Sequence, residues 1–208
     1  MTFGVKQIAP LLNRLTTQYP QLSIDLSLSD RLVDVVEEGY DLVIRIATLK
    51  ESSLVARRLA PSRHILCAAP GYLDQHGRPE TADDLARHPC LRYAYTRNSN
   101  EWRLIKNGVE HRVRINGQLL VNNGDALCAA AEHDAGITLL PTFIAGDSIR
   151  NGKLEVVLPD YDCPELGIYA IYSSRRHQSA KVRALIDFLA SEISTPPRWD
   201  EGLFNARA

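Results

Sequence analysis

The sequence predicts an α/β fold built of two units, and three observations carry that expectation. A strand-helix-strand pattern spans residues 22–46, a shorter copy runs over residues 118–140, and 208 residues suffice for one generous domain or two small ones. In the first pattern Ile24, Leu26 and Leu28 alternate with Asp25, Ser27 and Ser29, which gives a strand one apolar face. The period then turns helical through Leu32, Val35 and Val36. Ser29 or Asp30 stands where a helix N-cap belongs, Gly39 where the left-handed residue after a helix belongs, and Asp41 opens a second apolar strand. Such a unit gives two parallel strands that end at the edge where the helix begins. Ser29, Asp30 and residues 45–47 are therefore expected to meet at one crevice.

Residues 3–19 place Ile8, Leu11, Leu12 and Leu15 on one helical face and stop at Pro20; Pro10, comfortable only in a first turn, marks an irregular start. Two alternating segments, 54–60 and 64–70, are separated by Pro61 and read as strands beside the first sheet. Residues 70–77 read as a short helix. Thr81 with Asp84 approximates a capping box, and this region is the candidate first crossing between units. A strand over 90–95 follows. Asn107-Gly108 then joins two alternating runs, the strongest hairpin signal in the chain, with Val109, His111, Val113 and Ile115 on one face. The second strand-helix-strand pattern has a strand to Val121, a helix from Asn123 or Gly124, a glycine stop at Gly136 and a strand to Leu140. A helix after Pro141, a turn at Asn151-Gly152 and a strand over 153–159 lead to Pro159 and Pro164, the second candidate crossing. Residues 165–173 read as a strand, and Ser179 caps a helix with Val182, Leu185, Ile186, Leu189 and Ile193 on one stripe. Residues 195–208, with Pro196-Pro197 and mixed polarity, read as linker or disorder.

Twenty-four basic and twenty-five acidic side chains leave a net charge of -1, without the basic surplus of a nucleic-acid-binding chain. No apolar run approaches the ~20 residues of a membrane span, and the first ten residues lack the basic start and apolar core of a signal peptide, so a cytoplasmic protein is expected. Cys67, Cys90, Cys128 and Cys163 lie far apart with no CxxC, which fits reduced, mostly buried thiols. GxSxG, HExxH, a Gly-rich phosphate loop and a histidine pair at ligand spacing are all missing, so no catalytic residue, metal ligand or cofactor is expected. Cys128 could serve as a redox thiol only if exposed and acidified; nothing nearby is reliably cationic, and it reads as a small apolar residue on the buried face of a helix.

Binding is better supported than turnover. Helices starting near Gly4, Asp30, Asn123 and Thr142 would aim several N-termini, each with unpaired N–H groups and about half a positive charge, at one cleft suited to a carboxylate. Thr2, Ser29 and Asn123 supply hydrogen-bonding groups there, Arg45 an ion-pairing donor, and Phe3, Tyr95 and Pro141 apolar walls. Plain helix capping accounts equally well for Ser29, Asp30 and Asn123, and an internal salt bridge for Arg45.

With these residues in view, the chain resembles the effector-binding (regulatory) domain of LysR-type transcriptional regulators. The likeness rests on FGVKQIAPLLNRLTTQYPQLSIDLSLSDRLVDVVEEGYDLVIRIATL, SSLVARRLAPSRHILCAAPGYLDQHGRP, LARHPCLRY, VNNGDALCAAAEHDAGITLLPTF and SSRRHQSAKVRALIDFL, in that order. The resemblance implies two Rossmann-like lobes of periplasmic-binding-protein type II architecture: residues 1–69 with 168–194, residues 70–167, and a C-terminal tail over 195–208. It implies an effector in the interlobe cleft, at positions matching Phe3, Ser29, Asp30, Arg45, Ala47, Tyr95, Asn122, Asn123 and Pro141. It also implies an N-terminal winged helix-turn-helix and a strand just before the Phe3-Gly4 loop, neither of which these residues contain. A longer parent protein is expected, which alone would bind operator DNA. Homo-oligomers, dimer or tetramer, are implied as well, through the first helix and a strand of the second lobe. The resulting expectation is a sensor domain for a small anionic organic effector. Its rivals are a free-standing solute-binding protein, disfavoured by the missing export signal, and an enzyme or thiol-based redox sensor working through Cys128.

Overall fold

Residues 2–18 wind as one helix that changes pitch on the way. A π-helical stretch, Gly4–Ile8, passes into a 3₁₀ turn, Ala9–Leu11, and then into α1, Leu12–Gln18. Pro10 explains the change: it has no N–H to donate and its ring crowds the carbonyl four residues back, so regular α-helical bonding cannot pass through it. Ile8 and Leu15 are buried, and Leu11 and Leu12 half-buried, on the expected face. The structure is a computed structural model and describes residues 1–31, 37–48, 55–96, 99–173, 179–193 and 195–204.

Contacts divide the chain into two units. The first comprises Met1, residues 3–62 and 166–198; the second comprises Thr2, residues 63–165 and the segment from Trp199 onward. Apart from the single residue Thr2, the chain passes between units at 62/63, at 165/166 and again at 198/199.

The first unit carries a three-stranded sheet in the order β1 (Val43–Ala47), β10 (Leu166–Tyr172), β2 (Val55–Ser62), with both pairings antiparallel. Two expectations fail here. Residues 22–29 form no strand, and β1 has an antiparallel partner instead of a parallel one. The alternation Ile24, Leu26, Leu28 specifies a half-buried strand only if a neighbour completes its ladder, and none of the described strands does. Leu26 and Leu28 are consequently 39% and 36% exposed. The helix expected after Asp30 falls largely on residues 32–36, outside the described residues; Gly39, in the turn at 37–39, adopts φ +76°. Pro61, expected to separate two strands, instead lies within β2. Among the described residues β2 is an edge strand with β10 as its one neighbour, a place where a residue without an N–H is tolerated. α5 (Ala180–Glu192) buries Val182, Ile186, Phe188 and Leu189. Arg57 on β2 pairs with Asp187, and Arg14 on α1 with Glu192, at the surface of the same helix.

The second unit is built on a five-stranded sheet in the order β7 (Leu120–Val121), β4 (Cys90–Tyr93), β8 (Ile137–Pro141), β3 (His64–Ala68), β9 (Glu155–Val156). Here β7, β4 and β8 run parallel, and β3 is antiparallel to β8 and β9. β3 was expected beside the first sheet. Its continuous apolar run, buried from Ile65 to Ala68, needs a neighbour on each side and finds them here. α2 (Pro70–His76) has proline at its first position and closes on Gly77 at φ +85°. The capping box forms: Asp84 accepts from the Thr81 N–H at 2.9 Å and hydroxyl at 2.8 Å, opening the 3₁₀ segment Ala82–Arg87. β5 (Glu101–Lys106) and β6 (Val109–Arg114) make the expected hairpin, with Asn107 at φ +53° and Gly108 at φ +78° in the two left-handed turn positions. α3 (Gly124–Glu132) and α4 (Thr142–Arg150) follow β7 and β8. After α3 the left-handed position is taken by Asp134 at φ +60°, not by Gly136. Gly136 has its own reason, since a Cβ there would lie 2.2 Å from the Pro89 carbonyl oxygen.

Within the expected C-terminal linker, Trp199, Asp200 and Leu203 are buried on the second unit, around the 3₁₀ turn Arg198–Asp200.

Candidate functional site

In the second unit the parallel strands β4, β7 and β8 all finish at one sheet edge, and every expected ligand residue of this unit except Thr2 follows one of those ends directly. Tyr95 comes after β4, Asn122 and Asn123 after β7, and Pro141 closes β8 as the N-cap of α4. Both nine-residue helices begin here. Asn123 Oδ1 accepts from the Ala126 N–H at 2.9 Å, which satisfies one of the otherwise unpaired donors of α3. Asn122 and Tyr95 are exposed, and the Tyr95 ring stands edge-on to Tyr93 at 5.8 Å.

Both helix starts already meet a carboxylate, a feature that the residue-by-residue reading missed. Asp125 lies in the first turn of α3 and accepts from the buried Thr2 hydroxyl at 2.5 Å. Asp200 accepts from the hydroxyl of Thr142, the first residue of α4, at 2.6 Å. Asp125 was legible from its place two residues past a cap. Asp200 was not, because 58 residues separate it from Thr142.

In the first unit Arg45 lies in the middle of β1, opposite Tyr169 of β10, and Ala47 closes the strand opposite Gly167. Ser29 Oγ accepts from the Arg31 N–H at 3.1 Å, a local turn-type bond, and Asp30 receives the amino group of Met1. Phe3 is buried in the first turns of the N-terminal helix. With no strand over 22–29, the ladder does not bring Ser29 and Asp30 to the end of β1.

Thiol and acid-base chemistry has little to work with. Burial pushes the Cys90 and Cys163 thiols up to about 12, and that of Cys67 higher still. Cys128 is buried as expected, though not among apolar groups alone: its Sγ lies 3.6 Å from Ser148 Oγ and 3.9 Å from a Glu132 oxygen. A hydrogen bond from Ser148, with Lys153 nearby, holds Glu132 below the usual carboxylate range, so Cys128 sits beside a carboxylate. Tyr72 Oη and His88 Nδ1 share a buried hydrogen bond of 2.8 Å with His76 stacked on the tyrosine; this is a packed structural pair. Among the described residues no group of three metal-ligating side chains converges, and no helix is long and apolar enough to cross a membrane. A cavity of 670 Å³ opens beside Arg87, His88, Asn116 and Leu119, at the opposite edge of the same sheet, where β4 and β8 begin.

Residues 1–194 match the family model described as the LysR substrate binding domain. The chain is 38% identical over 188 residues to the HTH-type transcriptional regulator DmlR of Escherichia coli, covering 90% of this chain and 61% of that regulator. The fold is similar to that of the regulatory domain of CrgA, a LysR-type transcriptional regulator from Neisseria meningitidis, with a TM-score of 0.82 at 27% identity over 93% of this chain and 95% of that one. It is also similar to the full-length Vibrio cholerae virulence activator AphB, with a TM-score of 0.78 at 28% identity over 90% of this chain and 64% of that one. The chain spans 61% to 64% of the length of curated relatives such as DmlR and a regulator of Haemophilus influenzae. The shared architecture is the two-lobed α/β fold of periplasmic-binding-protein type II.

Proposed function

Because the chain belongs to the LysR substrate-binding domain family, we propose that it is the part of a DNA-binding transcription regulator that senses a small organic effector, and that it catalyses no reaction. The observation that carries this reading is the edge of the second unit where two helices begin beside Tyr95, Asn122, Asn123 and Pro141. Polar amide groups, an exposed aromatic ring and a proline face at helix starts are what recognition of a small polar molecule requires. Thr2 is proposed with this set, and Phe3, Ser29, Asp30, Arg45 and Ala47 are the groups proposed on the first unit.

An anionic effector is the finer proposal, and two forces compete over it. The helix starts and Arg45 favour negative charge, while Asp125, in the first turn of α3, opposes a second carboxylate there. Residues of the whole regulator beyond this domain would meet operator DNA, the regulator would work in the cytoplasm as a homo-oligomer, and an effector preferring one conformation of the domain would bias it by about 1 to 3 kcal/mol. The thiol-sensor alternative draws no support from Cys128, which is buried beside the Glu132 carboxylate.

Thermal-shift screening of the 208-residue chain against small organic acids, amino acids and their neutral amides tests the proposal. A true effector at 100 times its dissociation constant adds about 2.7 kcal/mol of stability. Asn123→Ala and Arg45→Ala are expected to reduce that shift while leaving the unliganded chain folded; if both variants respond fully, the proposed lining is wrong.

A further inference from the structure

The segment after Arg198 lies beyond the residues that match the family model, and its anchorage on the second unit rests on several independent contacts. Trp199 is 8% exposed and stands edge-on to Phe143 of α4 at 6.3 Å. The Trp199 carbonyl and the Leu203 side chain close over Gly146, where an added Cβ would meet them at 3.1 and 3.2 Å. Arg150, at the end of α4, donates to the carbonyl oxygens of Trp199 and Glu201 at 3.3 and 3.0 Å, and the Arg63 guanidinium sits 5.0 Å over the Phe204 ring.

At the centre is a carboxyl group in an awkward place. Asp200 is 7% exposed; one oxygen accepts from Thr142, and the other is buried without a hydrogen-bond donor. Its nearest cation, Arg63, stands 3.9 Å away and is shared with Glu165 at 3.7 Å. The other charged groups around it are Arg150, already engaged with Asp147, and its neighbours in sequence, Arg198 and Glu201. A buried carboxylate with one bare oxygen and a distant, shared cation is poorly compensated, whereas a neutral carboxyl is not.

We propose that residues 199–204 form a proton-sensitive latch on the second unit, closed through the Asp200 carboxyl on Thr142. Burial raises the pKa of Asp200 when docked, more than Thr142 and Arg63 lower it. The sign follows: the docked state binds the proton more tightly than the released state, so docking is strongest at low pH and weakens as pH rises through the docked pKa. Thr142 is the first residue of α4, next to Pro141, so the latch sets the first turn of the helix that opens at the proposed effector edge. That last link rests on the effector reading; the latch itself does not.

The test uses the 208-residue chain without any effector, so its outcome is independent of the effector screen. Amide-exchange protection factors, which remove the intrinsic pH dependence of exchange, are measured over residues 199–204 between about pH 4 and about pH 8, with quenching of Trp199 fluorescence by iodide in a Trp102→Phe background as the second readout. Protection is expected to fall with rising pH, by about tenfold for each pKa unit between docked and free Asp200. Asp200→Asn, neutral at every pH, is expected to keep the segment protected throughout and flatten the profile, and Trp199→Ala to release it throughout. Protection that does not change with pH in the unaltered chain, or a profile that survives in Asp200→Asn, overturns the proposal.

Discussion

The two units start from the same sequence device and end differently. Residues 22–46 and 118–140 both read as strand, helix, strand. The second pattern is realised, with β7 and β8 parallel on either side of β4, α3 between them in sequence, and a capped helix start. The first pattern yields only its closing strand, β1. An alternating apolar face is a demand for a partner, and its outcome depends on whether a ladder and a covering layer are present. In the second unit β4 supplies both neighbours with hydrogen bonds; across residues 22–29 no described strand does so.

The sharpest way to break this comparison is a matched pair of truncations. Ile137→Ala, at a fully buried position of β8, is expected to cost about 2 to 5 kcal/mol, whereas Leu26→Ala, at a residue 39% exposed, is expected to stay within about 0.5 kcal/mol, both read from urea unfolding. A Leu26 variant as damaging as the Ile137 one would mean that residues 22–29 are packed after all.

Backbone freedom gives a second contrast. Gly136→Ala combines φ +137° with a Cβ 2.2 Å from the Pro89 oxygen and is expected to cost about 1 to 3 kcal/mol. Gly39→Ala, at φ +76° in open space, bears the dihedral cost alone, about 1 kcal/mol. Equal losses of melting temperature would remove the role given to the close approach. Capping comes next: Asn123→Ala is expected to lose about 1 kcal/mol, and Ser29→Ala, whose bond serves a local turn, only a few tenths.

The smallest expected effect is a pH dependence of the second unit. Burial, with His76 nearby, holds the His88 pKa below its ordinary value, so its stabilising contribution is complete above the unfolded pKa of about 6.5 and is lost as pH falls. The urea midpoint should therefore drop between about pH 7 and about pH 5, and drop less in His88→Gln. An identical slope in the variant would assign the loss to other groups.

Local chemistry made much of this molecule readable. The hairpin at Asn107-Gly108, the Thr81–Asp84 capping box, the proline start of α2 and the Asn123 cap each depend on residues within a few positions of one another, and all formed where expected. The Asn122, Asn123 and Pro141 positions were legible for the same reason, because parallel strands followed by helices fix where their ends lie.

What the sequence by itself determined, then, was the set of elements whose hydrogen bonds close within a turn, together with the family they compose. Tertiary structure alone decided the rest: whether residues 22–29 found a ladder, that β3 went to the second sheet, that Pro61 could lie within an edge strand, and that Asp200 came to rest on Thr142. Each of those outcomes turns on a partner dozens of residues away. The free energy of burial and pairing belongs to both partners together, and no local pattern encodes it.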